Sequence, residues 1–503
     1  MSALGVRRAV GSSRRQFFHL MRRLLPAQIH RHFFHIALSL IFLPLDNAIL
    51  FFAVILGYLR SWFPRSGSRA RHQILRDERF YPKTVLVTGI DTRYGLRVAR
   101  CCYFEGHRVI GADITDSRVT PGEGMSKAIF AYYRVQKPRY VSNLLDIVQR
   151  EKVDIWIPCS QDASAVEDAM AKQAIEGRTS CKCITLDFEL TNQWGRPESF
   201  HQYLEQEALP VVESHQVHSR DSIHRILHRS PTKVYHIRKT ATALRQDTIV
   251  VLPKRTLSST YTQVSEIQVS KDSPWVMQQH ARLGEFIAEI LLINGLVTAI
   301  TIRPANERSN WGYSPLNEGL ATAIHKLMER FAFSGGSRAT GHLIVQLMVD
   351  EELGMDSVRY AVHIAGCTQG AAAVRHLLTD TPAQALVSGY LAVLSENNAP
   401  SNPSSDTLYS HARTGITKIP PRRPSLYQTV KGYDVRRVLP ALYPVAQQLD
   451  WALEEAGQLL VFLKDWRFSV DDPLPWWWHR HIFWPLRELS LILDSRWNGH
   501  KYH

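Results

Sequence analysis

The apolar positions of the chain fall into distinct patterns. Ile36 to Leu59 (IALSLIFLPLDNAILFFAVILGYL) is a run of 24 residues with one charge, Asp46. Downstream, KTVLVTGI (83–90), HRVIGAD (107–113) and VDIWIP (153–158) are short apolar, β-branched runs closed by Gly, Asp or Pro. Such runs predict buried strands. Between them, DTRYGLRVARCCYFEG (91–106) and VSNLLDIVQR (141–150) space apolar positions at helical intervals. Strands alternating with helices predict a parallel, doubly wound, Rossmann-like sheet. Further on, GEFIAEILLING (284–295) alternates, which puts Glu285, Ile287 and Glu289 on one face of a strand. Residues 396–430 are rich in Ser, Pro and Asn and predict a flexible linker. Residues 435–463 are amphipathic and helical after Pro440.

Length and charge sharpen the organisation. At about 100–200 residues per domain, 503 residues predict two to four domains. The net charge is +14, from 60 Lys+Arg against 46 Asp+Glu. Residues 1–80 hold 13 Arg, no Lys and three acids (Asp46, Asp77, Glu78), so +10 belongs to this end. The remaining +4 does not suit a general nucleic-acid binder, and no nucleic-acid partner is expected. Arginines flank the apolar run on both sides, and Phe33, Phe34, Tyr58 and Trp62 stand where interfacial aromatics belong. The run is long enough to cross a bilayer, but a mid-bilayer charge is costly. With Pro44 and Asp46 at its middle, a single span and a re-entrant hairpin both remain open, and either attaches the protein to a membrane through residues 36–59. The Arg-rich, acid-poor first 45 residues also resemble a mitochondrial presequence. Ser13-Arg14-Arg15-Gln16-Phe17 resembles a twin-arginine signal, but its apolar run lies too far downstream. Six Cys exclude a disulfide scaffold, give no zinc spacing and fit a reducing compartment, so the globular body is expected to face the cytosol.

The first strand–helix–strand admits a dinucleotide reading. Thr88, Gly89 and Gly95 fit the glycine-rich turn of a short-chain dehydrogenase, and Asp113 stands where a ribose-binding acid would. Arg93, however, replaces the glycine that lets the backbone approach a pyrophosphate. Tyr133 and Lys137 mimic a catalytic pair but come too early, with Pro138 directly after the lysine. An NAD(P)-dependent oxidoreductase is therefore an alternative, not the leading expectation.

Past residue 120 a longer series of motifs accumulates: AIFAYYRVQKPR (128–139), LLDIVQREKVDIWIPCSQDASAVEDAMAK (144–172), ITLDFELTNQWGRPESF (184–200), KVYHIRK (233–239), SPWVMQQHARLGEFIAEILLINGLV (273–297), ATGHLIVQLMV (339–349) and RYAVHIAG (359–366), with DPLPWWWHRHIFWPL (472–486) near the end. In order and spacing these resemble the ATP-grasp carboxylate–amine ligases, particularly the mycosporine-type enzymes of natural-product biosynthesis. The resemblance covers about 83–395 and the tail. It implies a Rossmann-like pre-grasp domain and two α+β subdomains that clamp ATP. The chain then divides into a membrane segment (1–80), a Rossmann-like pre-grasp domain (81–190), an ATP-grasp domain (191–395), the linker (396–430) and a helical, Trp-rich extension (431–503). The tail's Trp476, Trp477, Trp478, Phe483 and Trp484 suit either a packed extension, which the resemblance favours, or an interfacial patch.

The resemblance also assigns candidate residues. Arg238 or Lys239 at the end of a strand, and Arg245 in the loop that follows, would meet phosphate oxygens. Gln278, Gln279 and His280 would border adenine, and Glu285 would hold the ribose hydroxyls; a solvated strand face is the competing reading of Glu285 and Glu289. ATP and Mg²⁺ are the implied cofactors, and a small carboxylate and an amine the implied substrates. The catalytic residues are unknown. The two acids that would hold magnesium fall on Gln346 and His363, and the stretch His363-Ile364-Ala365-Gly366-Cys367 replaces Glu-Cys-Asn-Pro-Arg. Arg196-Pro197 stand where a lysine is expected. Asp350, Glu351, Glu352 and Asp356 read as a hairpin turn directed away from the site. These departures leave a catalytically degenerate binding or scaffold protein as the second expectation.

Overall fold

The computed structural model describes residues 28–61, 67–117, 119–230, 233–239, 250–269, 275–279, 283–305, 317–353, 358–371, 374–394 and 465–490. The expected linker at 396–430 and the expected helix at 435–463 lie outside these residues. The chain is a mixed α/β protein that divides into two units. The first contains residues 1–154, 159–162 and 425–503; the second contains 155–158 and 163–424.

In the first unit the apolar run forms one continuous helix, Gln28–Ser61, with Pro44 inside it. The hairpin expected as an alternative is not formed, and Pro44 is tolerated without ending the helix. Parallel strands follow in the order β3-β2-β1: β1 (Thr84–Thr88), β2 (Arg108–Ile114) and β3 (Ala131–Val135). Val85 to Thr88 and Val109 to Asp113 are buried, as continuous apolar runs in a parallel sheet must be. The helix Arg93–Phe104 is capped by Thr92, whose hydroxyl accepts from the Gly95 amide at 3.0 Å, and it buries Leu96, Val98, Ala99, Cys101 and Cys102. The flanks of the next strand tie back to β1: Asp154 N donates to Thr84 O and Cys159 N to Thr88 O, both at 2.9 Å.

The C-terminal stretch belongs to this unit too. Asp472 is buried and accepts from Arg100 Nε (2.9 Å), Ser126 Oγ (2.5 Å) and Lys127 N (3.1 Å). Arg467 pairs with buried Glu123 and with Asp465. These contacts fix 465–478 to the loops around β2 and β3. Phe468, Val470 and Trp476 then pack on Ala53 and Leu56 of the long helix. Within the tail, Trp476 and Phe483 are thus buried, whereas Trp484 is exposed.

The second unit begins with the parallel pair β4 (Ile155–Pro158) and β5 (Lys182–Cys183). The intervening helix Ala165–Glu176 starts with a reciprocal cap between Ser164 and Glu167. Two four-stranded antiparallel sheets follow. One has the order β6-β9-β7-β8: β6 (Ser214–Val217), β9 (Trp275–Gln279), β7 (Tyr235–Lys239) and β8 (Val250–Leu252). Its core is Val217, Ile223, Tyr235, Ile237, Leu252, Val264 and Met277. The other has the order β11-β10-β12-β13: β10 (Gly284–Ile293), β11 (Leu296–Pro304), β12 (Gly341–Leu353) and β13 (Val358–Gln369). One face of this sheet, with Ala288, Ile290, Leu343, Val345, Leu347 and Ile364, is buried against the helix Glu318–Gly335 and the helices carrying Trp194 and Phe200.

Candidate functional site

Register decides which residues of the second sheet share a face. β10 and β12 run antiparallel, with Glu285 opposite Met348, Ile287 opposite Gln346 and Glu289 opposite Ile344. β12 and β13 pair Gln346 with Gly366 and Met348 with His363, with a bulge between Gln346 and Leu347. Since alternate positions line one face, the face turned from the helical core carries Glu285, Ile287 and Glu289; Ile344, Gln346, Met348 and Asp350; and His363. It brings the sequence-selected Glu285, Gln346 and His363 onto one surface. Glu285 and Gln346 are exposed. Gly366 leaves room for its neighbour: a Cβ there would lie 3.2 Å from Gln346 Oε1.

Two features of this face differ from expectation. Glu289 is not on a solvated surface but fully buried. Arg303, on β11, donates to its Oε1 (3.3 Å) and the Leu377 amide to its Oε2 (2.8 Å). A carboxylate so enclosed keeps its charge only with such partners. Asp350 does not point away with a turn. It lies on β12 at the same parity as Gln346, and Gln279 Nε2 of β9 donates to its Oδ2 at 3.3 Å. The strand alternation already contained this signal, because Asp350 stands four positions from Gln346. Glu351 and Glu352 continue β12, and Asp356 lies outside the described residues.

The β6-β9-β7-β8 sheet meets this face through Gln279 of β9. Gln278 sits opposite Ser214 and His236, and Gln279 opposite Tyr235. The Gln279 amide donates to Glu213 O at 2.9 Å. Glu213 accepts from Lys233 Nζ (2.8 Å) and Tyr235 OH (3.1 Å). Burial raises the Glu213 pKa, but these hydrogen bonds outweigh it and leave the carboxyl below its ordinary value. Arg238 and Lys239 occupy β7 opposite Val276 and Trp275. Arg245 and His280 lie outside the described residues. A backbone crossing joins the sheets: Val212 N donates to Ile364 O (3.0 Å) and Ile364 N to Pro210 O (2.8 Å).

Whether this face fits magnesium follows from its donors. Mg²⁺ needs hard oxygen ligands, usually carboxylates, in near-octahedral array. Gln346 offers a neutral amide oxygen and His363 an imidazole, while Glu289 is engaged by Arg303. Among the described residues, no group of three or more His, Cys, Asp or Glu could hold a metal ion. The described residues of this face do not fit a magnesium cage. Half-buried Ile287 and Ile344 alternate with polar Glu285 and Gln346 on this face, a mix of apolar and polar groups that suits a small-molecule surface. Burial pushes the Cys367 thiol up to about 12, so it is no nucleophile at neutral pH.

The dinucleotide candidates of the first unit are structural. A Cβ at Gly89 (φ +74°) would lie 2.3 Å from Ser160 N, and one at Gly95 would lie 2.0 Å from Gly89 O. Both glycines therefore serve close packing. Asp113 is buried, accepts from the Asp91 amide at 3.2 Å, and is pushed well above the ordinary carboxyl range by burial and by Asp91. Its buried position keeps it from standing open to a ribose. Tyr133 lies in β3 and bonds Glu151, whereas Lys137 donates to Asp162 O at 2.9 Å.

No family model matches the chain, and no curated protein matches it. Among solved structures it is similar to the biotin carboxylase subunit of pyruvate carboxylase, with 11% identity, a TM-score of 0.44, and coverage of 62% of this chain and 70% of that one. It is also similar to biotin carboxylase from Campylobacter jejuni (12% identity, TM-score 0.41, 62% and 71%). A third is N5-carboxyaminoimidazole synthetase from Staphylococcus aureus (10% identity, TM-score 0.37, 59% and 72%).

Proposed function

We propose that this chain is an ATP-dependent ligase of ATP-grasp type that joins a small carboxylate to an amine, of the mycosporine-like kind that builds natural products. The observation that carries this reading is the pair of antiparallel sheets in the second unit, linked by the Gln279–Asp350 hydrogen bond, with Glu285, Gln346 and His363 on one face. In the proposed reaction a carboxylate oxygen attacks the γ-phosphorus of ATP, ADP leaves, and an acyl phosphate forms. The amine nitrogen then attacks the acyl carbon, phosphate leaves, and the nitrogen loses its proton to solvent. Glu285 holds the ribose hydroxyls. Arg238, Lys239 and Arg245 meet the phosphates. Because the Gln279 amide already donates to Glu213 O, the main-chain contact to adenine falls to His280, with Gln278 and Gln279 beside it. The body faces the cytosol, attached to a membrane through residues 36–59.

A second reading is a grasp-fold protein that binds nucleotide without turnover. Gln346 and His363, neither of which supplies a carboxylate, and the engaged Glu289 favour it. Release of ADP from ATP by the full-length protein, with Mg²⁺ and a panel of acids and amines, separates the two. Release that requires both an acid and an amine supports the ligase. ATP binding with no release across the panel supports the second reading.

A further inference from the structure

The membrane-binding helix has its polarity inside out. Among its described side chains, from Ile36 to Leu59, the buried ones are Ser39, Asp46, Ala53 and Leu56, the first three spaced by about two turns. Its exposed positions include Leu40, Ile41, Leu45, Phe51, Phe52 and Tyr58. A helix on a water-soluble body shows the reverse arrangement.

The seam is filled by the C-terminal stretch. Asp46 is 1% exposed and is paired with Arg480 Nε (3.2 Å) and His481 Nε2 (3.1 Å). Ser39 Oγ lies 3.0 Å from His481 Nδ1 and donates to Arg480 O. Trp477 Nε1 donates to Asn47 Oδ1 at 2.8 Å. At the far end, Gly57 lets Val470 O approach: a Cβ there would lie 3.2 Å from it. The mid-helix charge that argued against a bilayer is therefore neutralised from within the protein.

This packing also sets the helix's attitude. Ser39 to Gly57 covers about 27 Å of helix, close to the roughly 30 Å of a hydrocarbon core. Over that length the helix lies on a stretch bolted to the β2 and β3 loops through Arg100, Glu123, Arg467 and Asp472. A helix crossing the bilayer would carry those charges to hydrocarbon depth, which is costly. We propose that the helix Gln28–Ser61 is a monotopic anchor, lying in the plane of one leaflet with its exposed apolar face immersed and both arginine-rich flanks on the same side. The partner is a bilayer with anionic headgroups, matched to the +10 of residues 1–80. Trp484, Leu486 and Leu489, also exposed, add apolar surface to the same unit.

This inference rests on the membrane association proposed above, and one experiment distinguishes their failures. Full-length protein is added to preformed phosphatidylcholine vesicles with and without phosphatidylglycerol, and floated. Ser13→Cys and Ser66→Cys variants are then labelled with a membrane-impermeant maleimide, against the wild-type background. The expected result is flotation favoured by phosphatidylglycerol, with both reporters labelled fully before detergent. Phe51→Glu/Phe52→Glu should reduce flotation at least tenfold without altering any ATP-induced melting shift. One reporter protected until detergent is added means a span: the anchor reading fails and membrane association stands. No flotation on either vesicle overturns both.

Discussion

Asp46 in the first unit and Glu289 in the second are both fully buried, and each has an arginine among its partners. Their surroundings differ. Outward from Asp46 the helix is apolar, so its carboxylate has a single task, holding the C-terminal stretch in register. Beside Glu289 the same strand face continues to Glu285 and Gln346, which are exposed. A buried charge with full partners is part of the scaffold. A polar residue held on a rigid strand and left open to solvent is where a ligand can be met. By that criterion the proposed nucleotide site depends on Glu285 more than on Glu289, although the two share one face.

The largest expected effect breaks the buried pairs. Asp46→Ala removes the carboxylate that Arg480 and His481 meet in the buried seam, and Arg303→Ala leaves Glu289 with the Leu377 amide as its hydrogen-bond donor among the described residues. Removing one partner of a buried pair costs about 3–5 kcal/mol. Chemical denaturation of the full chain in detergent should show losses of that order in both. A loss below about 1 kcal/mol at either would mean that pair is not part of the scaffold. Glu285→Ala should do the converse. Its stability should match wild type within about 0.5 kcal/mol, as for exposed positions, while ATP affinity falls roughly tenfold or more for a lost charge-assisted hydrogen bond.

Titration gives smaller effects. Burial lowers His342, whose ring bonds Tyr390 OH at 2.8 Å, and His479 to about 3. A folded-state pKa below the unfolded value means stability that is present above about pH 6.5 and lost as pH falls towards 3. Each histidine should remove about 1 kcal/mol by pH 5.5, and melting curves of His342→Gln and His479→Gln should show a flattened acid limb. Asp113 has the opposite sign. Its raised pKa favours folding at low pH, an advantage lost as pH rises through the folded value. Asp113→Asn should therefore melt a few degrees higher at pH 8, a change of about 1 kcal/mol, and show little change at pH 4.

The helical and strand spacing of 83–158 made the parallel β-α layer legible, and alternation in 284–295 placed Glu285 and Glu289 on one face. Alternation could not show that Glu289 would be buried, because Arg303 of the neighbouring strand and Leu377, much farther along the chain, close over it. Asp350 was legible in principle from its parity with Gln346 but was assigned to a turn through its acidic neighbours. Pro44 and Asp46 suggested a break in the apolar run. The helix continues because the segment around Arg480 and His481, more than 430 residues away, supplies Asp46 with its partners. Local pattern reports periodicity, whereas a buried charge is settled by tertiary partners.

The most direct test of the central claim is the melting temperature of the full-length protein titrated with ATP, with NAD⁺ as the comparison. Binding to the proposed site on the face of β10, β12 and β13 turned from the helical core predicts a saturable rise with ATP, equivalent to about 2.7 kcal/mol at a hundred times the dissociation constant. The rise should be diminished in Glu285→Ala and absent with NAD⁺. No rise with millimolar ATP, or an equal rise in wild type and Glu285→Ala, would contradict it.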